Sequence, residues 1–162
     1  MKTLLAILLL PFVGFAQEYP FKKEDISVNE LLKGSLYTPA RVNPKTDLVI
    51  IIAGSGMPDR DGNQQGMENN SLRFLAEGLA KDDIAAFSFD KRSIALKASG
   101  KLLEREMRFD DFIGDVKSII AYFRDKKQFR RIIVAGHSEG SLIGMVAANG
   151  NADAFISLAG AG

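Results

Sequence analysis

Apolar residues along this chain follow two alternating periods. Residues 47–53, 84–90, 131–135 and 153–159 are short, nearly unbroken apolar runs dominated by β-branched and aromatic side chains. Runs of this length, closed by polar turns, predict strands; 47–53 reads as a central strand covered on both faces, 84–90 as the next buried strand, and 153–159 as one more apolar strand. Between them the period changes. Residues 68–81 carry Leu72, Leu75 and Leu79 at helical spacing, with Phe74 close by. Residues 109–124 place Phe112, Ile113, Val116, Ile119, Ile120 and Phe123 three and four apart. Asp110 and Asp111 fall in the first turn of that helix, where its dipole favours carboxylates. Residues 139–149 read as a third helix. Ahead of these, residues 34–39 read as a short strand stopped by Pro39, and residues 17–33 as a leading arm or edge strand. Residues 91–101 read as a polar loop. The alternation predicts an α/β domain over residues 34–162, with a mostly parallel sheet and helices on both faces. The last run has no covering helix after it, so the domain reads as cut after about its sixth strand.

Composition adds a leader and removes several chemistries. Lys2, the apolar residues 4–15 and Gly14-Phe15-Ala16 ahead of Gln17-Glu18 have the flanks of a secretory signal peptide over residues 1–16. An uncleaved N-terminal anchor is the rival reading. The expected location is periplasmic or secreted, with no stable membrane association once the signal is removed. The 162 residues carry a net charge of +1 and no block of like charge, which points away from nucleic acid. Cysteine is absent, so there is no disulfide, thiolate ligand or cysteine nucleophile.

The apolar run at 131–135 ends in Gly136-His137-Ser138-Glu139-Gly140, and a helical pattern follows at once. A strand delivering a serine onto a sharp turn above a helix N-terminus is a nucleophile elbow. Glycines at 136 and 140 spare the turn a clash with its neighbours, and the helix end offers free N–H groups to a developing oxyanion. Ser138 is therefore the candidate nucleophile. The rival reading makes it an ordinary N-cap. The hydroxyl needs a base, and the base an orienting acid. The one histidine of the chain, His137, is adjacent to the serine. Neighbouring side chains diverge at a tight turn, so His137 reads as a packing or turn residue.

An oxyanion hole needs two donors. One is the backbone N–H of Glu139, after the nucleophile. The second is placed in the loop opened by Gly54-Ser55-Gly56, with Ser55 as the donor and Gly56 beside it; the alternative is a glycine-rich turn with no ligand. A phosphate cradle fails because the lysine and hydroxyl of the Walker pattern are missing, as is the third glycine of the dinucleotide fingerprint. Asp59-Arg60-Asp61 and Asp90-Lys91-Arg92 form complementary charge sets at one end of the sheet. They either pair and brace this loop or lie on a solvated face. Their carboxylates do not have the spacing of a calcium loop. No metal or cofactor is expected.

Three stretches together resemble a family: residues 53–63, Phe89-Asp90-Lys91-Arg92, and Gly136-His137-Ser138-Glu139-Gly140-Ser141. In order and spacing they are similar to the N-terminal half of exported bacterial α/β-hydrolases, of the serine aminopeptidase-like and esterase-like subgroup. The resemblance covers roughly residues 34–162. It implies an eight-stranded sheet with a cap inserted after the sixth strand, and a Ser-Asp-His triad in that chain order with Ser138 as nucleophile. The acid and histidine of such enzymes follow the seventh and eighth strands, so neither is assigned in this chain. Ser93 stands where relatives carry glycine after Asp-Lys-Arg, and Ala95 where a glycine turn is expected, which marks an altered loop.

The expected function is a serine hydrolase acting on small-molecule esters, with amides or peptides as the neighbouring class, through an acyl-serine. A chain of these residues alone would be nearly inactive for want of a base. The alternative is a non-catalytic binding protein on a degenerate hydrolase scaffold.

Overall fold

The computed structural model describes residues 20–160, so the signal-peptide reading of residues 1–16 lies outside the described residues. The elements run β1 (Phe21–Ser27), β2 (Lys33–Pro39), β3 (Leu48–Ile52), α1 (Ser71–Lys81), β4 (Ala85–Phe89), α2 (Arg92–Ala98), a 3-10 turn (Glu104–Glu106), α3 (Phe109–Lys126), β5 (Ile132–His137), α4 (Glu139–Ala148) and β6 (Ala154–Leu158). The strands form one six-stranded sheet in the order β1-β2-β4-β3-β5-β6. β1 and β2 pair antiparallel, as do β2 and β4, and the other neighbours are parallel. This is the mostly parallel, two-faced α/β sheet that the alternating periods predict.

β3 explains the layering. All five of its residues are buried, because side chains alternate between two covered faces. Leu48, Ile50 and Ile52 pack into the cluster holding Val116, Ile119 and Phe123 of α3 and Ile143 of α4. Val49 and Ile51 face Leu72, Ala76 and Ala80 of α1. The connection from β3 to β4 steps one way along the sheet, and the connection from β4 to β5 steps back past β3. The order therefore reverses between β3 and β5, and the carboxyl ends of these strands flank a crevice, where open α/β sheets bind ligands.

Three details differ from the reading of the sequence. The expected polar loop at 91–101 contains α2, built from good helix formers in Ala95-Leu96-Lys97-Ala98 and tied through Arg92 to Asp111 and Asp115 of α3. α1 starts at Ser71 rather than 68. Asn70 adopts left-handed geometry (φ 52°), and the Asn63 side-chain oxygen accepts the N–H groups of Asn69 and Asn70, holding that stretch off the helix. The buried stripe of α1 is Leu72, Ala76 and Ala80, and Phe74 faces solvent. α4 is apolar on nearly every side: it buries Ile143 and Ala147 but exposes Leu142, Met145 and Val146. Among the described residues no helix is long and apolar enough to cross a membrane.

At the opposite end of the sheet from the crevice, Asp47 clamps the start of β3 to the start of β5. Its carboxylate accepts from Arg130 at 2.9 and 2.8 Å and from Arg131 at 3.2 and 2.6 Å. These guanidinium bonds hold the Asp47 carboxyl well below the usual carboxylate range. A carboxyl depressed in the folded state contributes stability that is complete above its unfolded pKa and is lost as pH falls below it. Asp47→Asn is expected to lower the melting temperature at neutral pH and to flatten its fall below about pH 4. Thermal melts of both proteins from about pH 7 to about pH 3 check this; parallel curves would overturn it.

Candidate active site

Ser138 sits at the junction of β5 and α4 with φ 52° and ψ −120°. Asn70 and Lys127, also at positive φ, keep the left-handed helical ψ of 25° and 28°. Ser138 does not, and such geometry costs on the order of 1–3 kcal/mol and persists only where its surroundings fix it. They do: the Ser138 N–H donates to the Leu158 carbonyl at 3.0 Å, and its own carbonyl accepts from the Ser141 N–H at 2.9 Å. The Ser141 hydroxyl donates to the Gly136 carbonyl. Ser138 occupies the N-cap position of α4 but makes no side-chain capping bond. That counts against the ordinary N-cap reading, because a capping serine spends its oxygen on the helix N–H groups.

Both flanking glycines are required by contact. A Cβ at Gly136 would run into the carbonyl of Gly140, and one at Gly140 would lie 2.6 Å from the carbonyl oxygens of Ile52 and Ala53. The helix head is thereby pressed onto the end of β3. Glu139 is the first residue of α4, so its N–H has no intrahelical acceptor.

The loop leaving β3 passes directly beside the elbow. A Cβ at Gly54 would lie 3.1 Å from His137 Nδ1 and 3.3 Å from Ser138 Cβ. Ser55 follows, exposed, and then Gly56 at φ 83°. Ser55, His137 and Ser138 line a cleft of about 130 Å³ together with Gln64, Asn69 and Leu72. Gly56 and Glu139 adjoin these residues in the chain. His137 is exposed in the cleft wall, so of the packing and turn readings the packing one does not hold. Strand alternation puts it on the α1 face with Ala135, and at this end of β5 that face opens into the cleft. No hydrogen bond joins it to Ser138 among the described residues.

The charge sets do pair, and they brace this loop. Arg60 donates its backbone N–H to Asp90 Oδ1 at 2.8 Å and its guanidinium to Oδ2 at 3.1 and 2.7 Å. Burial works against the Arg60 charge, but Asp90 outweighs it, and the guanidinium titrates above its ordinary value. Asp59 stays within its own loop, accepting the N–H groups of Asp61 and Asn63. Lys91 is only 3% exposed, which rules out a solvated face there. Its ammonium donates to the Gly54 carbonyl and, at 2.9 Å, to Glu139 Oε2. Arg92 turns the other way, gripping Asp115 with two bonds of 2.7 Å. Burial pushes the Asp115 carboxyl up against the pull of those bonds. Ser93, where a glycine was expected, is buried within α2. The cleft contacts of Gln64 and Asn69 and the reach of Lys91 had no local signature in the sequence. Among the described residues no three His, Asp or Glu side chains gather to hold a metal ion.

No protein-family model matches the chain. It is 28% identical over 123 residues to esterase EstD of Thermotoga maritima, an alignment covering 76% of this chain and 28% of EstD. Among solved structures it superposes on the peroxisomal alpha-beta-hydrolase Lpx1 of Saccharomyces cerevisiae with a TM-score of 0.63 at 18% identity, over 89% of this chain and 46% of that one. It superposes on Thermogutta terrifontis esterase 2, phosphorylated by paraoxon, with a TM-score of 0.60 at 18% identity, over 85% of this chain and 57% of that one. The chain thus spans between about a quarter and somewhat over half of these proteins. With its strand order, its reversal beside β3 and the turn carrying Ser138 between β5 and α4, the chain has the fold of the α/β-hydrolases.

Proposed function

We propose that this chain is the nucleophile-bearing part of a serine hydrolase that cleaves carboxylic esters, with amides and peptides as the neighbouring class. The observation that carries this reading is Ser138 itself, held at φ 52° and ψ −120° at the head of α4 with no capping bond from its hydroxyl. In the proposed reaction Ser138 Oγ attacks the ester carbonyl carbon while a general base takes the hydroxyl proton. The carbonyl oxygen becomes an oxyanion held by the N–H groups of Glu139 and Ser55. Collapse breaks the C–O bond, and the departing alcohol takes the proton back from the base. Water then adds to the acyl-serine by the same route, releasing the acid and restoring Ser138.

The sole histidine, His137, neighbours the nucleophile without bonding it, so we place the base and its acid on polypeptide outside these residues. The share of EstD and of esterase 2 left unmatched is in keeping with that. Residues 1–16 carry the export reading, and we place the protein in the periplasm or outside the cell.

The test is covalent labelling. The full-length gene product, treated with a fluorophosphonate, is expected to gain one adduct on the tryptic peptide beginning at Ile132, and fragmentation should put it on Ser138 rather than Ser141 or Ser157. Turnover of an aryl butyrate against an aminoacyl anilide separates esterase from peptidase. A folded full-length product without an adduct would favour the second reading, a binding protein on this scaffold, for which the single histidine is the supporting observation.

A further inference from the structure

We infer that Lys91 is a positioning residue that fixes the direction of the Ser55 N–H, and with it one half of the oxyanion hole. The inference rests on the proposed role of Ser138. The Gly54 carbonyl and the Ser55 N–H belong to one planar trans peptide unit, so they point in opposite directions, and holding one aims the other. Lys91 Nζ donates to that carbonyl from a site 3% exposed. The same ammonium donates to Glu139 Oε2 at 2.9 Å and sits 5.6 Å from the centre of the Phe112 ring. A single buried cation therefore ties the peptide before one donor to the side chain of the residue that supplies the other.

The loop needs such an anchor because it cannot stiffen itself. Position 54 is glycine, and a Cβ there would lie tight against His137 Nδ1 and Ser138 Cβ, at 3.1 and 3.3 Å. Glycine leaves the 54–55 peptide free to rotate, and Gly56 at φ 83° removes restraint on the other side. Ser55 is exposed at the cleft. Upstream constraint ends with β3, and downstream constraint resumes at the buried Pro58 and at Asp59, whose N–H donates to the Asn63 carbonyl at 2.7 Å, ahead of Arg60 pinned to Asp90. Lys91 acts in the gap between them. It follows Asp90 directly, so the exit of β4 supplies both anchors. An oxyanion-hole donor works by being aimed before charge develops, so the loss of Lys91 should appear in the transition state rather than in substrate binding.

The experiment compares the full-length protein with Lys91→Met, which keeps the buried chain and removes the donor. Active sites are counted by fluorophosphonate, so misfolded protein does not enter kcat. Lys91→Met is expected to lower kcat per labelled site by about 100-fold with KM little changed. The inhibition constant of a trifluoromethyl ketone should rise by the same factor. The amide resonance of Ser55 should shift as its peptide unit loses its hold. Glu139→Gln, which weakens only the outer anchor at an exposed carboxylate, is expected to lower kcat by about fivefold and keeps the question open to measurement if Lys91→Met does not fold. Unchanged kcat per site in both variants, or an unmoved Ser55 resonance, overturns the inference. If the wild-type protein neither labels nor turns over, the role of Ser138 fails instead. The Ser55 resonance then decides on its own whether Lys91 holds the peptide.

Discussion

Ser138→Ala in the full-length protein is expected to lower kcat by about 10⁶, close to 8 kcal/mol of transition-state stabilisation, and to leave the melting temperature nearly where it was. The two halves of that expectation come from different features. The loss follows from the proposed covalent catalysis: without Oγ no acyl intermediate forms, and only the proposed N–H donors of Glu139 and Ser55 and the cleft would remain to act on a water. The unchanged stability follows from the local geometry. Alanine at φ 52° carries the same backbone strain as serine, and the hydroxyl makes no capping bond to lose. Ser138→Gly separates the effects further. It is equally inactive, and it should melt higher because glycine accepts this conformation without penalty, by on the order of 1 kcal/mol. Function and stability then oppose each other at a single residue, as they do where a fold stores strain for chemistry. Steady-state kinetics with site titration and thermal melts of the three proteins check this. Ser138→Ala activity within tenfold of wild type would remove Ser138 from the mechanism.

The sequence made the central strands and the elbow legible for the same reason: both are dictated locally. β3 and β5 are covered on two faces, so their apolar character survives in any reading frame of the sheet, and the glycines at 136 and 140 stand at a spacing set by one tight turn. What escaped was fixed by distance. Lys91 finds its partners 37 and 48 residues away, at Gly54 and Glu139, and nothing near Lys91 distinguishes a buried anchor from a solvated loop lysine. α2 was hidden in a stretch whose charge suggested a loop, because the carboxylates receiving Arg92 lie on α3. The start of α1 at Ser71 likewise depends on a contact at a distance, the Asn63 side chain holding residues 69 and 70 off the helix.

Gly140→Ala is expected to destabilise the folded protein by about 3 kcal/mol or more, while Gly114→Ala stabilises it by about 1 kcal/mol. Both glycines lie inside helices, α4 and α3, and helix propensity alone favours alanine at each. The difference lies in what a methyl group would meet. At Gly114 it meets nothing within 4 Å and points into solvent. At Gly140 it lies 2.6 Å from the carbonyl oxygens of Ile52 and Ala53. Those are backbone atoms of the central strand and its exit, so no side chain can swing aside, and relief requires α4 to lift from β3. Lifting α4 moves the Glu139 N–H and Ser138 away from the Ser55 loop, which stays with β3 and Lys91. Gly140→Ala should therefore lose labelling at Ser138 faster than it loses helical content, whereas Gly114→Ala should label as wild type does. Denaturant titrations and labelling rates on both variants measure the contrast. Equal stability changes would mean that the contact between helix head and strand is not what sets the geometry of the elbow.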